Sequence, residues 1–371
     1  MHPEEHRMIE PLQNLREKSA DSSPKTWPQV GIVVLNWNGW QDTIECLESL
    51  RQIDYPNYRL VVVDNGSTDN SVQQIRRWAR REIVVGTPRV RNDSAVPSLT
   101  LIEYDRLQAE TGGRADDERL PRSSPSQAVV LIRAGANLGV PGGRNLGIRY
   151  AMAQRAQFVV VLDNDTVVTP GFLKPSVRVF DEHPSVGVVG PRVLDYGDGS
   201  HWQWPLRSRP TFFHLLIRPY SRWRLLKGSA LFRNVFYKDS ATVPVYCIGG
   251  SCMLFSADAL DRIELIDEGT FVFWEEATIA ERLNRVGLQC YVCPESVIYH
   301  KGRMTTSLPG VRIFIEGTRS ERYFSAEYLE LPRYQRQVLC WGRAIVYLAR
   351  CLRDPSYREH LSEFLREVER P

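Results

Sequence analysis

FVVVLDNDTVV, residues 158–168, is the stretch from which the fold can be read. Four apolar residues run from Val159 to Leu162, and two carboxylates, Asp163 and Asp165, follow one residue apart. Side chains two apart on a strand project to the same face, so these acids would point together. Two explanations fit a buried strand that ends in this way. Asp and Asn stop strands by turn chemistry, bonding their own backbone. Paired carboxylates also suit a hard divalent cation, which takes carboxylate oxygens together with phosphate oxygens and water.

The neighbouring segments repeat the pattern. VGIVVLNWNG (30–39) is a β-branched run closed by Asn and Gly, and a helical spacing follows at 41–52, with Ile44, Leu47 and Leu50 roughly on one face. YRLVVVDNGSTDNS (58–71) is a second strand, followed by a helix over 71–81. AVVLIRAGANLG (128–139) is a third strand, GGRNLGIRYAMAQ a further helix, and FVVVLDND a fourth strand. Near-continuous apolar strands alternating with helices predict an α/β fold with a largely parallel sheet covered on both faces. Such sheets bind ligands beyond the carboxyl ends of their strands. Polar residues stand there on three strands: Asn36 and Asn38, Asp64 and Asn65, and Asp163 and Asp165.

Composition fits this reading. The chain has 371 residues, 43% hydrophobic and 25% charged, with a net charge of +3, which gives no reason to expect a nucleic-acid partner. No apolar run approaches the roughly 20 residues of a membrane-spanning helix. The amino terminus carries no apolar signal segment and the seven cysteines form no small disulfide framework, so a reduced cytoplasmic setting is expected. Residues 1–27 read as a loose arm, 86–127 as a Pro-, Gly- and Ser-rich surface insertion around LTLIEYDRL, and 311–371 as a helical extension.

Six motifs stand in order: VVLNWNG, VVVDNGSTDNS, NLGVPGGRNLGI, VVLDND, FVFWEEATIAERLNRVG (271–287) and CPESVIYHKG (293–302). The succession resembles the family 2 glycosyltransferases, inverting enzymes of the GT-A fold, and within them the bacterial rhamnosyltransferase-type enzymes of cell-surface polysaccharide synthesis. It covers about residues 29–303 and implies a GT-A domain over 28–310. It also implies a nucleotide-diphosphate sugar donor, a glycan or lipid-linked acceptor and a divalent metal, Mn²⁺ or Mg²⁺. DND then corresponds to the family's metal motif, with Asp165 a ligand and Asp163 nearer the ribose. Leu35, Asn36 and Asp64 would serve the base, while Asn137, Gly139 and Arg144 would lie near the nucleotide. His300 would complete the metal site, an imidazole suiting Mn²⁺ better than Mg²⁺.

Glu275 and Glu276 match the family's acidic pair, and the resemblance places the general base at the second position, Glu276. The sequence departs from the family there, with Glu for the usual Asp at 276 and Thr278 for a later Asp. Arg282 matches an arginine expected to support the helix. Without the resemblance, Glu275 and Glu276 also read as the charged first turn of a helix.

Other features point elsewhere. Cys290 and Cys293, with Cys247 and Cys252, raise a zinc reading, although a plain strand fits as well. Between Asp198 and Asp239 there is no acid but many Arg, Lys, Trp, Phe and Tyr residues. That part of an acceptor-side region spanning 195–243 is expected either to touch an anionic membrane surface at the inner face of the cell membrane or to cover the acceptor cleft with its arginines paired. Two further readings of the whole chain compete: a sugar nucleotidyltransferase, and a catalytically degenerate nucleotide-sugar-binding module.

Overall fold

The computed structural model describes residues 27–83, 88–90, 98–113, 127–203, 205–217, 241–302 and 310–369. The expected alternation is present. β1 (Val30–Asn36), α1 (Trp40–Leu50), β2 (Tyr58–Asp64), α2 (Ser71–Ala79), β3 (Thr100–Asp105), α3 (Arg106–Glu110), β4 (Ala128–Arg133), α4 (Gly139–Ala153) and β5 (Phe158–Asp163) make the first half. β6 (Thr166–Val168), α5 (Leu173–Glu182), β7 (Val186–Asp195), β8 (His201–Gln203), α6 (Phe212–Ile217), β9 (Val243–Val245), β10 (Cys252–Ser256), α7 (Ala257–Arg262), α8 (Glu275–Arg285) and β11 (Gln289–His300) follow. Four helices close the chain: α9 (Gly310–Glu327), α10 (Arg333–Cys351), α11 (Pro355–Glu359) and α12 (Leu361–Glu369).

All strands join one sheet in the order β3-β4-β2-β1-β5-β10-β7-β11-β6, with β8 on β7 and β9 on β11. From β3 to β5 every pairing is parallel. Beyond β5 the sheet is mixed, because β10 enters antiparallel between β5 and β7, while β7 and β11 run parallel. The insertion expected to be a surface excursion therefore contributes an edge strand, since β3 pairs with β4 over Thr100 to Asp105.

Alternation along β1 explains the two-sided burial. Val30, Ile32 and Val34 enter one core with Ile44 and Leu47 of α1, while Val33 enters the other with Leu146 and Ile148 of α4. Both faces exclude water, so neither could be polar. Strand register then sets the site. Asn36 lies opposite Asp64, and Leu35 opposite Asp163, so three strand ends share one carboxyl edge.

Candidate active site

At that edge Asp163 ends β5 and Asp165 lies two residues on, buried in the turn to β6. β6 pairs antiparallel with the end of β11, bringing Thr166 opposite His300. His300 Nε2 lies 3.0 Å from Asp165 Oδ1. Asp163, Asp165 and His300 can each offer a ligand atom within 4.8 Å of the others. Burial pushes the Asp165 carboxyl up against the pull of His300. Its Oδ2 is buried and meets no hydrogen-bond donor among the described residues. An unsatisfied buried carboxylate oxygen is costly. A divalent cation would satisfy it, and two carboxylates with an imidazole form a fitting donor set. Lys301, next in sequence, donates its ammonium to Asp42 and Glu45 of α1, and its backbone N–H to the Asp165 carbonyl, fixing this end of β11.

Arg144 of α4 was expected beside the nucleotide. It is instead almost fully buried beneath the acids. Its Nη2 donates to Asp163 Oδ1 at 2.7 Å and to the Gly250 carbonyl at 2.8 Å, and its Nη1 lies 3.8 Å from Glu275 Oε1. Its guanidinium thus lies between Asp163 and the acidic pair.

Glu275 and Glu276 open α8 after two residues in the left-handed region, Phe273 (φ 66°) and Trp274 (φ 69°). Non-glycine residues rarely adopt that conformation, and such strain persists only where packing holds it. Here Trp274 stacks on Phe324 of α9, with centroids 5.0 Å apart. The two carboxylates differ in environment. Glu275 is buried, and desolvation with the neighbouring Glu276 charge pushes its carboxyl up to about 8. Glu276 is the half-exposed member, and its Oε1 would lie 2.4 Å from a Cβ placed on Gly250. Thr278 is fully buried and donates to the Glu275 carbonyl, while Arg282 donates to the Leu265 carbonyl.

Leu35 and Asp64, expected at the base, stand at the edge, and Asn36 beside them is fully buried. Asn36 Nδ2 donates to Asp64 Oδ1 at 2.9 Å and to Ser67 Oγ, and its Oδ1 accepts from Thr43 Oγ1, so it holds the Asp64 carboxylate in place. Gly139 has φ 74°, and a Cβ there would meet the Phe271 carbonyl at 2.7 Å. Its glycine is therefore explained by packing against the loop before Glu275. Asn137 Oδ1 accepts from the Gly139 N–H and from Asn65 Nδ2.

Asn65, noted in the sequence only as a polar strand end, latches the loop before α4, and sequence reasoning overlooked three parts: Thr43 and Asn164, hydrogen-bonded to each other, and Gly250. Only Gly250, within the paired glycines of CIGGSC, left a visible signal. All seven cysteines are free and buried, and among the described residues none joins a metal-ligating cluster, so zinc finds no support. In the acid-free stretch Arg209 pairs with both carboxylate oxygens of Glu281, which fits the covering role; residues 218–240 lie outside the described ones.

The family model of glycosyl transferase family 2 matches residues 31–92 and 122–263, and the chain belongs to that family. It is 28% identical over 190 residues to the N-acetylglucosaminyl-diphospho-decaprenol L-rhamnosyltransferase of Mycobacterium tuberculosis, a match covering 48% of this chain and 60% of that protein. It is 26% identical over 166 residues to a low-salt glycan biosynthesis hexosyltransferase of Haloferax volcanii, covering 44% of this chain and 49% of the relative. The chain thus spans about half to three-fifths of these relatives' length. A mannosyltransferase from Pyrobaculum calidifontis, solved with GDP-Man and Mn²⁺, aligns with a TM-score of 0.49 at 15% identity over 95% of this chain and 89% of that one.

Proposed function

We propose that the protein is an inverting glycosyltransferase that moves a sugar from a nucleotide-diphosphate donor onto a glycan or lipid-linked acceptor in cell-surface polysaccharide synthesis. The observation that carries this reading is the shared edge of the sheet. It joins Asp163, Asp165 and His300, with the unsatisfied Asp165 oxygen, to an acidic pair through the single buried guanidinium of Arg144.

Asp64, held by Asn36, accepts a hydrogen bond from the nucleotide base, with Leu35 beside it. Asp163, held by Arg144, faces the ribose. Asp163, Asp165 and His300 would hold a divalent cation, which would supply positive charge against the departing diphosphate, and the imidazole would favour Mn²⁺ over Mg²⁺. Inverting transfer then needs one base to take the proton of the acceptor hydroxyl as its oxygen attacks the anomeric carbon. Glu275 is enclosed beside Arg144, and burial with the neighbouring Glu276 charge pushes its carboxyl up, so it is the less accessible of the pair to an acceptor hydroxyl. Glu276, half-exposed beside Gly250, is the base.

Donor binding tests the reading. A panel of UDP-, GDP- and dTDP-sugars is measured by thermal stabilisation and by slow hydrolysis with Mn²⁺. One donor class is expected to stabilise the protein and to be hydrolysed, a ligand at 100 times its Kd adding about 2.7 kcal/mol. Pyrophosphate-dependent exchange would mark a nucleotidyltransferase, which the sequence after β1, NWNGWQDT without Arg or Lys, does not favour. Binding without hydrolysis or transfer would mark a degenerate module.

Gly250 carries a second prediction. Its φ is not left-handed, so alanine fits the backbone, and the nearest crowding falls on the flexible end of Glu276. Gly250→Ala is expected to leave Tm within a few degrees, since Gly→Ala at a compatible site changes stability by about 0.4–1 kcal/mol. Displacing the base by about 1 Å is expected to lower acceptor turnover about 10²-fold. Unchanged turnover would separate Gly250 from the base.

A further inference from the structure

Helix α10 is apolar on two sides, and only one of them is covered. Its inner side places Leu339, Cys340, Tyr347 and Cys351 in the carboxy-terminal bundle, where Tyr347 stacks on Phe364 at 3.9 Å. Arg343 fixes the helix by pairing with both carboxylate oxygens of Glu321 and donating to the Leu215 carbonyl. The outer side exposes Tyr334 (68%), Trp341 (59%), Ile345 (62%), Leu348 (51%) and, just past the helix end, Leu352 (81%). These five residues lie seven, four, three and four positions apart, which at 100° per residue keeps them within about 60° of one another. A helix that is hydrophobic all round is normally buried, and a contiguous exposed stripe marks an interaction surface.

Charge identifies the occupant. From Leu331 to Arg353 the sequence contains five arginines and no acid. Of these, Arg333 and Arg353 are exposed at the two ends of the stripe. An apolar stripe with Trp and Tyr between cationic ends is the pattern of a helix lying in the interface of an anionic bilayer, where amphipathic aromatic rings settle at headgroup level and arginines meet lipid phosphate. No helix among the described residues is long and apolar enough to cross a membrane, so such a contact lies on the surface.

We propose that the outer face of α10, Tyr334 to Leu352, docks on an anionic membrane surface. The proposal rests on the exposed face of α10, without residues 218–240, and does not depend on the transfer reaction. The bundle is tied to the loop that leads into the acidic pair: Ser320 Oγ donates to the Val272 carbonyl, and Tyr323 and Tyr328 donate to Asp267. Rested on the function proposed above, the docking holds the acceptor side of the site near a lipid-linked acceptor.

Co-sedimentation of the full chain with vesicles tests it, using phosphatidylcholine alone and phosphatidylcholine mixed with phosphatidylglycerol. Binding is expected only with the anionic lipid and is expected to fall with salt as screening grows. Trp341→Glu with Ile345→Glu is expected to lower the partition at least about tenfold, because the charges fall on the inserted face. Both positions are exposed, so Tm and donor hydrolysis are expected to stay at the parent value. As an independent readout, brominated lipid is expected to quench part of the fluorescence of the parent and less of that of Trp341→Phe. Binding to neither vesicle, equal binding to both, or retention by the double variant overturns the proposal. A dimer in sedimentation that the double variant dissociates, without vesicle binding by the parent, also overturns it and assigns the stripe to a second copy.

Discussion

Asp165→Ala is expected to lose metal-stimulated donor turnover by at least about 10²-fold, the scale of removing one preorganised charge-stabilising group. The reasoning is local. Asp165 is the most enclosed carboxylate of the edge, its Oδ2 has no donor among the described residues, and its Oδ1 faces His300 at 3.0 Å. A readout apart from activity accompanies the loss: added Mn²⁺ is expected to raise the Tm of the parent and to leave that of the variant unmoved, since stabilisation by a ligand requires its site. Asp163→Asn, whose side chain can still accept from Arg144, is expected mainly to weaken donor binding. If Asp165→Ala kept full metal-stimulated turnover, the metal assignment would fail.

The first half of the domain could be read from its residues because each strand there is short, β-branched and closed by polar residues, and the strands follow one another through helices. Local pattern and global fold agree, so Val30–Asn36, Tyr58–Asp64 and Phe158–Asp163 stand where the pattern put them. The second half was less legible because its pairings are non-local. β10 sits between β5 and β7 in the sheet although 88 residues separate Cys252 from Asp163, and nothing in CMLFS fixes its direction. The same limit explains Asn36. A polar residue at a strand end looks alike whether it meets a ligand or a neighbouring side chain, and only the register that sets Asn36 against Asp64 decides. Arg144 repeats the lesson: its sequence neighbourhood says nothing of Asp163, and only the fold, with α4 beginning at Gly139, brings its guanidinium to that carboxylate. Glu275 and Glu276 were visible as a pair. Their division of labour was not, because it rests on burial, with one side chain enclosed beside Arg144 and the other over Gly250.

That division yields the second large effect. Neighbouring residues on a helix point about 100° apart, so only one of the two carboxylates faces the donor. Glu276→Gln removes the proton acceptor while keeping shape, and loss of a positioned base typically costs about 10²–10⁴-fold in rate. Donor affinity is expected to change little, because the base acts in the transition state rather than in donor binding. Glu275→Gln replaces an enclosed carboxyl, pushed up by burial and by the Glu276 charge, with an amide of the same shape, so it is expected to lose far less. The decisive measurement is donor titration and acceptor turnover on both variants side by side. The account predicts that Glu276→Gln binds nucleotide-sugar normally and transfers about 10²–10⁴-fold more slowly, with Glu275→Gln active. An active Glu276→Gln, whether or not Glu275→Gln is dead, would contradict it.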